Sequence, residues 1–174
     1  MARRQRSSPA DGGGEISLRG ELRPDDPARV AAIVKATGFF YPDEEQVAVE
    51  LVDEALAKGQ TGSGYHFLLA DRADQSLGYS CFGPIPCTRS AFDLYWIAVH
   101  PAAQGLGLGR KLIEASERRV VELGGTRAYV ETSGRPQYDP TRAFYEALGY
   151  RKVAVLDDFY GPGDAKVLYL KVLA

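Results

Sequence analysis

The segment from Ala91 to Gly125 constrains the fold more than any other. It opens with Ala91-Phe92-Asp93-Leu94-Tyr95-Trp96-Ile97-Ala98-Val99, which is aromatic and β-branched and therefore strand-like. Strict alternation puts Leu94, Trp96 and Ala98 on one face and Asp93, Tyr95, Ile97 and Val99 on the other. Both faces are mostly apolar, so the strand is expected inside a sheet covered on both sides. Pro101 cannot donate to a ladder and ends the run. Downstream, Leu108, Leu112, Ala115, Arg119 or Val120, and Leu123 recur at helical spacing, and Gly124-Gly125 suits a helix stop.

Between strand and helix lies Gln104-Gly105-Leu106-Gly107-Leu108-Gly109-Arg110. Glycine lets backbone approach a ligand closely and adopt positive φ. The helix start adds unpaired N–H groups and the positive end of its dipole. The combination is an anion cradle suited to a pyrophosphate. It is not the phosphate loop of nucleotide triphosphatases, because Gly109 is followed by Arg110-Lys111-Leu112 instead of Lys-Ser/Thr. It also misses the dinucleotide fingerprint, which needs glycine where Arg110 stands.

The pattern that remains, Gln-x-x-Gly-x-Gly over Gln104 to Gly109, resembles the acetyl-CoA loop of the GNAT superfamily of N-acetyltransferases. A second stretch, Thr141-Arg142-Ala143-Phe144-Tyr145-Glu146-Ala147-Leu148-Gly149-Tyr150, is similar to the later signature of that superfamily. Pro140 suits its first helical turn, Asp139 is the expected cap, and Gly149 is expected to end the helix in a left-handed conformation. The resemblance runs over roughly residues 92 to 173.

The remaining elements agree with such a fold. Strands are expected at about Glu15–Arg23, Tyr65–Ala70, Leu77–Phe82, Ala128–Thr132, Arg151–Leu156 and Lys166–Val172. Helices are expected from near Pro27 and over about Glu44–Lys58, the second with an apolar stripe of Val47, Val49, Leu51, Val52 and Leu56. The order β-αα-βββ-α-β-α-ββ describes an α/β fold: a single-domain, GNAT-like mixed β-sheet flanked by helices, over residues 15–174. Residues 1–14, basic and then glycine-rich, are expected to form a disordered tail.

The resemblance implies acetyl transfer from acetyl-CoA, as cosubstrate, to a primary amine. It implies that the backbone of Gln104, Gly105, Leu106, Gly107, Leu108, Gly109 and Arg110 binds pyrophosphate, with the Gln104 side chain bracing the loop. The backbone of Ile97 and Val99 would pair with the pantetheine arm, in a slot opening near Val130. Asp93 is the first candidate for the base, since a carboxylate in an apolar strand needs a partner or a purpose. Glu131 is second, and relay through ordered water is the alternative to either. Tyr145 stands where the superfamily places the tyrosine that protonates the departing sulfur. The superfamily often has Asn seven residues before that tyrosine. Tyr138 is there instead, so Thr132, Ser133 and Tyr138 are the candidate polar anchors for the arm.

The acceptor is expected to be a small-molecule amine or a peptide N-terminus. Its roof is drawn from Phe39, Phe40, Tyr41, Asp43, Glu44 and Glu45, and a loop over Asp157–Asp164 borders it. A non-catalytic coenzyme A-binding regulatory module and an acyltransferase with a longer acyl donor are the alternatives. A net charge of −2 gives no field for nucleic acid, and no apolar run reaches the ~20 residues of a membrane span. Cys81 and Cys87 form no metal-ligand pattern, so no metal is expected. With no apolar stretch after the N-terminal arginines, the chain reads as cytoplasmic. Homodimerisation is open to this architecture.

Overall fold

The computed structural model describes residues 14–173, so the expected N-terminal tail lies almost wholly outside the described residues. One seven-stranded sheet carries the fold, in the order β1-β2-β3-β4-β5-β7-β6. The strands are β1 (Ser17–Arg19), β2 (His66–Arg72), β3 (Gln75–Pro84), β4 (Ala91–Val99), β5 (Arg127–Ser133), β6 (Arg151–Gly161) and β7 (Asp164–Val172). The helices are α1 (Asp26–Thr37), α2 (Pro42–Lys58), a four-residue α3 (Gln60–Ser63), α4 (Leu108–Glu122) and α5 (Asp139–Ala147). All neighbouring strands are antiparallel except β4 and β5. The expected element order holds, with α3 added.

Helices α1 and α2 cover one face. Val30, Ile33, Val34, Ala48, Val52 and Ala55 pack there on Phe67, Leu69, Tyr79, Cys81 and Ala98. Helices α4 and α5 cover the other, where Ile113, Val120, Tyr145 and Leu148 meet Phe82, Phe92, Leu94, Ala128 and Val130. Two buried hydroxyls fasten α4: Ser80 and Ser116 lie 2.8 Å apart, and Ser116 also donates to the Leu112 carbonyl at 2.9 Å.

The strict alternation expected along β4 fails at one residue. Cys81 pairs with Trp96 but Phe82 pairs with Leu94, so Tyr95 is an extra, bulged residue. Leu94 therefore faces α4 and α5 beside Phe92, while Trp96 and Ala98 face α1 and α2. Asp93 consequently shares a face with Trp96, not with Ile97 and Val99.

Other expectations shift for local reasons. In α2 the buried residues are Ala48, Val52 and Ala55, while Val47 and Leu56 are exposed, because small side chains bring that helix close to α1. Tyr138, not Asp139, is the N-cap residue of α5; Asp139 lies inside the first turn and pairs with Arg142. The Asp157–Asp164 segment is no open loop: β6 continues to Gly161 and turns tightly into β7. Gly149 does terminate α5 with φ of 87°.

A buried ion cluster ties β1 and α1 to β2. Arg19 donates to Asp26 at 2.5 and 2.8 Å and to Asp71 at 2.6 Å, and Asp26, fully buried, also accepts the Arg23 N–H at 2.7 Å. Burial pushes the Asp71 carboxyl up, but hydrogen bonds from Ser76 and Arg19 win and hold it below the usual range. Its contribution to stability is complete above the unfolded-state value near 4 and drains away as pH falls below it. Breaking this cluster from one side leaves buried charge without a partner. Asp26→Ala is expected to cost about 3–5 kcal/mol in urea unfolding.

Candidate active site

Strands β4 and β5 pair only at Ala91–Arg127, Phe92–Ala128 and Asp93–Tyr129. Beyond that point they part. β5 runs on to Ser133 paired with β7, and β4 runs on to Val99 paired with β3. The edges they turn toward each other bound a slot, where the sequence placed one near Val130. A cavity of about 470 Å³ occupies it, lined by Ile97, Val99, Thr132, Tyr138 and Tyr145 among others.

At one end the slot meets the glycine turn. Pro101–Ala103 form a single 3₁₀ turn, and the His100 ring accepts the Ala102 N–H at 3.2 Å, a turn-holding role. Gly105 and Gly107 have φ of 77° and 73°, and a Cβ added at either would meet nothing within 4 Å. Glycine is thus required by backbone conformation, and the space above the turn stays open. Helix α4 closes its first turn with Lys111 N–H to Gly107 C=O at 3.1 Å, so the earlier N–H groups have no intrahelical partner. The Gln104 side chain donates to the Val99 carbonyl at 3.2 Å and braces the turn on β4. A groove of about 510 Å³ runs from this turn past Thr141 and Phe144 to Ile97 and Val99. Arg110 is half-exposed beside Glu114 at 3.5 Å.

Tyr145 lines the slot from the α5 side. It is 4% exposed, packed among Phe144, Tyr150 and Tyr169, and burial pushes its phenol well up. Asp93 and Glu131 stand on the opposite face. Burial and the facing Glu131 push the Asp93 carboxyl up to about 6, with Lys166 opposing. Glu131 is held by Lys166 at 2.5 Å and lines the cavity directly, whereas Asp93 sits at the base of the fork. Of the three residues singled out in the sequence for proton transfer, Tyr145 and Glu131 line the slot from two sides, whereas Asp93 lines neither the slot nor the chamber beside it.

On the Asp93 face a second chamber of about 630 Å³ opens. Of the six residues from which the roof was drawn, Phe40, Tyr41, Asp43 and Glu44 line this chamber, with Phe40 packed on Trp96 at 4.9 Å; Phe39 lines the slot instead, packed on Tyr138 at 4.7 Å, and Glu45 lines neither. Glu44 accepts the Tyr41 N–H at 2.8 Å, so part of its duty is to cap α2. Tyr160, Pro162 and Asp164 wall the far side. Sequence reasoning missed Arg135, which bonds Asp164 at 3.0 Å and Tyr41 Oη at 2.9 Å and lies over the Tyr41 and Tyr138 rings. Tyr41 is 94 residues away, so no local pattern marks this contact.

The three candidate anchors separate. Ser133 is bonded to Asp164, and Tyr138 is packed against Phe39. Thr132 is 5% exposed and its hydroxyl has no partner. A buried unpaired hydroxyl costs stability, which points to a role beyond packing. Among the described residues no group of three or more acidic, histidine or cysteine side chains is arranged to hold a metal, and no helix is long and apolar enough to cross a membrane.

Comparison with known proteins was made on this fold and site. A model of the acetyltransferase (GNAT) domain matches residues 63–152. A mycothiol acetyltransferase from Beutenbergia cavernae is 28% identical over 151 residues, covering 86% of this chain and 49% of that protein. The chain spans about half the length of the curated relatives it matches. A GNAT-family crystal structure from Desulfovibrio desulfuricans superposes with a TM-score of 0.90 at 45% identity, covering 92% of this chain and all of that one. An aminoglycoside 6'-N-acetyltransferase complexed with coenzyme A shares the fold, with a TM-score of 0.74 at 20% identity over 92% of this chain and 97% of that one. The domain match takes in the forked strands, the glycine turn and the Tyr145 helix together, and on that ground this chain belongs to the GNAT acetyltransferase family.

Proposed function

We propose that the chain transfers an acetyl group from acetyl-CoA to a primary amine, carried by a small molecule or a peptide N-terminus. The observation that carries this reading is the division of the slot, with Tyr145 on one side and Glu131 on the other, and Asp93 behind Glu131 at the base of the fork. The thioester supplies an activated acyl carbon. The N–H groups from Gly107 to Arg110, with the α4 dipole behind them, offer a seat for the pyrophosphate. The β4 edge at Ile97 and Val99 offers backbone groups to an extended, amide-bearing arm, and Thr132 adds a hydroxyl.

An alkyl ammonium has a pKa near 10 and must lose a proton before it attacks. Glu131 meets it at the chamber wall, and Asp93 takes the proton, its carboxyl being poised nearest neutrality. The amine nitrogen then bonds to the carbonyl carbon and the carbon–sulfur bond breaks. Tyr145, kept protonated by burial, delivers its proton to the sulfur. The nitrogen gives up its second proton through ordered water, which restores the phenol, and the proton held by Asp93 passes to solvent. The aromatic roof and the carboxylates of the chamber suit a cationic acceptor.

The direct test is acetyl-CoA-dependent thiol release against pools of amino acids, polyamines, aminoglycosides and free peptides. A rate above background with one pool supports the reading and narrows the acceptor. No rate with any pool, in protein that binds the coenzyme, overturns it.

For the wild type, kcat/KM is expected to fall as pH drops through about 6, where Asp93 becomes protonated. Asp93→Asn should remove that limb and lower kcat on the order of 100-fold or more. An acid whose folded pKa lies above its unfolded value weakens the fold once pH exceeds both. The same variant should therefore melt higher than wild type at pH 7.

Tyr145→Phe is expected to lower kcat on the order of 100-fold while coenzyme affinity, measured by calorimetry, stays within about twofold. Equal losses in both would assign Tyr145 to packing alone.

Thr132→Val should act in opposite directions on the free and bound protein. Removing a buried unpaired hydroxyl is expected to raise Tm by roughly 2–4 °C, while coenzyme affinity weakens about tenfold. Unchanged affinity would exclude Thr132 as an anchor.

A further inference from the structure

We propose that the acceptor carries a carboxylate as well as the reacting amine, and that Arg135 receives it. This rests on the acetyl-transfer reading above and names the class of amine within it: free amino acids or short peptides, not polyamines or aminoglycosides. Glu131 lines both the slot and the chamber and so marks where the two meet, whereas Arg135 lines the chamber alone. An acceptor that brings its amine to Glu131 therefore leaves its remainder in the chamber, where Arg135 stands. The two residues are four apart along the chain, so their Cα atoms lie at most about 14 Å from each other, a gap that a short molecule bridges.

The charged groups of the chamber differ in how fully the fold already uses them. Glu131 is held by Lys166 at 2.5 Å, Glu44 accepts the Tyr41 N–H at 2.8 Å, and Asp164 is bonded by both Ser133 and Arg135. Asp43 lies exposed in the first turn of α2, where a helix N-terminus favours an acid. Each acid thus has an occupation within the fold. Arg135 is only partly engaged. Its Nε lies 3.0 Å from Asp164 and 3.3 Å from Ser133 Oγ, and its Nη1 donates to Tyr41 Oη at 2.9 Å. Its Nη2, with two N–H donors, bonds nothing among the described residues. The guanidinium lies over the Tyr41 and Tyr138 rings, at 5.6 and 5.7 Å, and the side chain is 30% exposed. It is therefore fixed in direction yet open at one corner. A planar cation held this way suits a carboxylate, through charge-assisted hydrogen bonds. Asp164 and Glu131 nearby limit the negative charge that can join them, so a singly charged carboxylate is accommodated where a doubly charged phosphate is repelled. To a polyamine or an aminoglycoside the same guanidinium presents a like charge, which selects against them.

The test is acetyl-CoA-dependent thiol release by the full chain on matched acceptors: free amino acids and their amides, dipeptides and their C-terminal amides, polyamines and aminoglycosides. For wild type, kcat/KM is expected to be at least about tenfold higher for the acid than for its amide in one of the two matched pairs, and that pair tells amino acid from peptide. Arg135→Gln should bring the ratio of acid to amide near one, chiefly by raising KM for the acid. Arg135→Lys returns a positive point charge and should recover part of the preference. Each ratio is taken within one preparation, so a loss of folded protein cannot produce the change. Acid and amide used equally by wild type overturn the proposal. So do polyamines or aminoglycosides preferred over both, or an Arg135→Gln variant that keeps the wild-type ratio; in these cases acetyl transfer itself stands. No thiol release with any acceptor overturns the acetyl-transfer reading, and this inference with it.

Discussion

Strands β4 and β5 share three residue pairs and then diverge, although they lie side by side inside the sheet. Each carries past the fork a row of backbone groups that the other does not bond. Buried amides without partners are costly, so such a separation persists only where the surroundings hold it open. Here they do so from both directions. β3 grips β4 along its outer side and β7 grips β5 along its own. Above and below, Phe40 against Trp96 and Tyr145 among its aromatic neighbours wedge the two walls. The glycine turn, the slot and the chamber all take their positions from this fork.

How much of this was legible in the sequence depended on range. Strand β4 and the turn after it were read from contiguous residues, because strand propensity, Pro101 and positive-φ glycines all act locally. Helix α5 was placed to within a residue for the same reason, Gly149 being the only residue type that ends it without strain. What escaped was set by pairing. The bulge at Tyr95 exists because β3 and β4 keep different counts across the same span, and neither strand alone records that. The extension of β6 to Gly161 needs β7 to bond against, and Asp157–Tyr160 look like a loop without it. Arg135 is the clearest site example. Its partners, Tyr41, Tyr138 and Asp164, come from three separate stretches of chain.

Asp93 illustrates a tension between chemistry and stability. A neutral residue would suit its half-buried position better, since facing Glu131 raises the cost of the charged form. Lys166 relieves part of that cost but is engaged with Glu131 and also stacked over the Phe159 ring at 4.5 Å. The fold thus tolerates an expensive carboxylate where the proposed reaction needs one poised near neutrality. Elsewhere the same chain pairs its buried acids fully, as Asp26 and Asp71 are by Arg19.

The bulge at Tyr95 also limits how this chain can change length. A strand of period two accepts many substitutions, since each need suit only its own face. Losing one residue between Leu94 and Trp96 is a different event. It would let β3 and β4 run in plain register and keep Asp93 on the side of Trp96, but it would remove the bend that the bulge puts into β4 just beyond Asp93. The identity of residue 95 is therefore free to drift in ways that the number of residues in β4 is not.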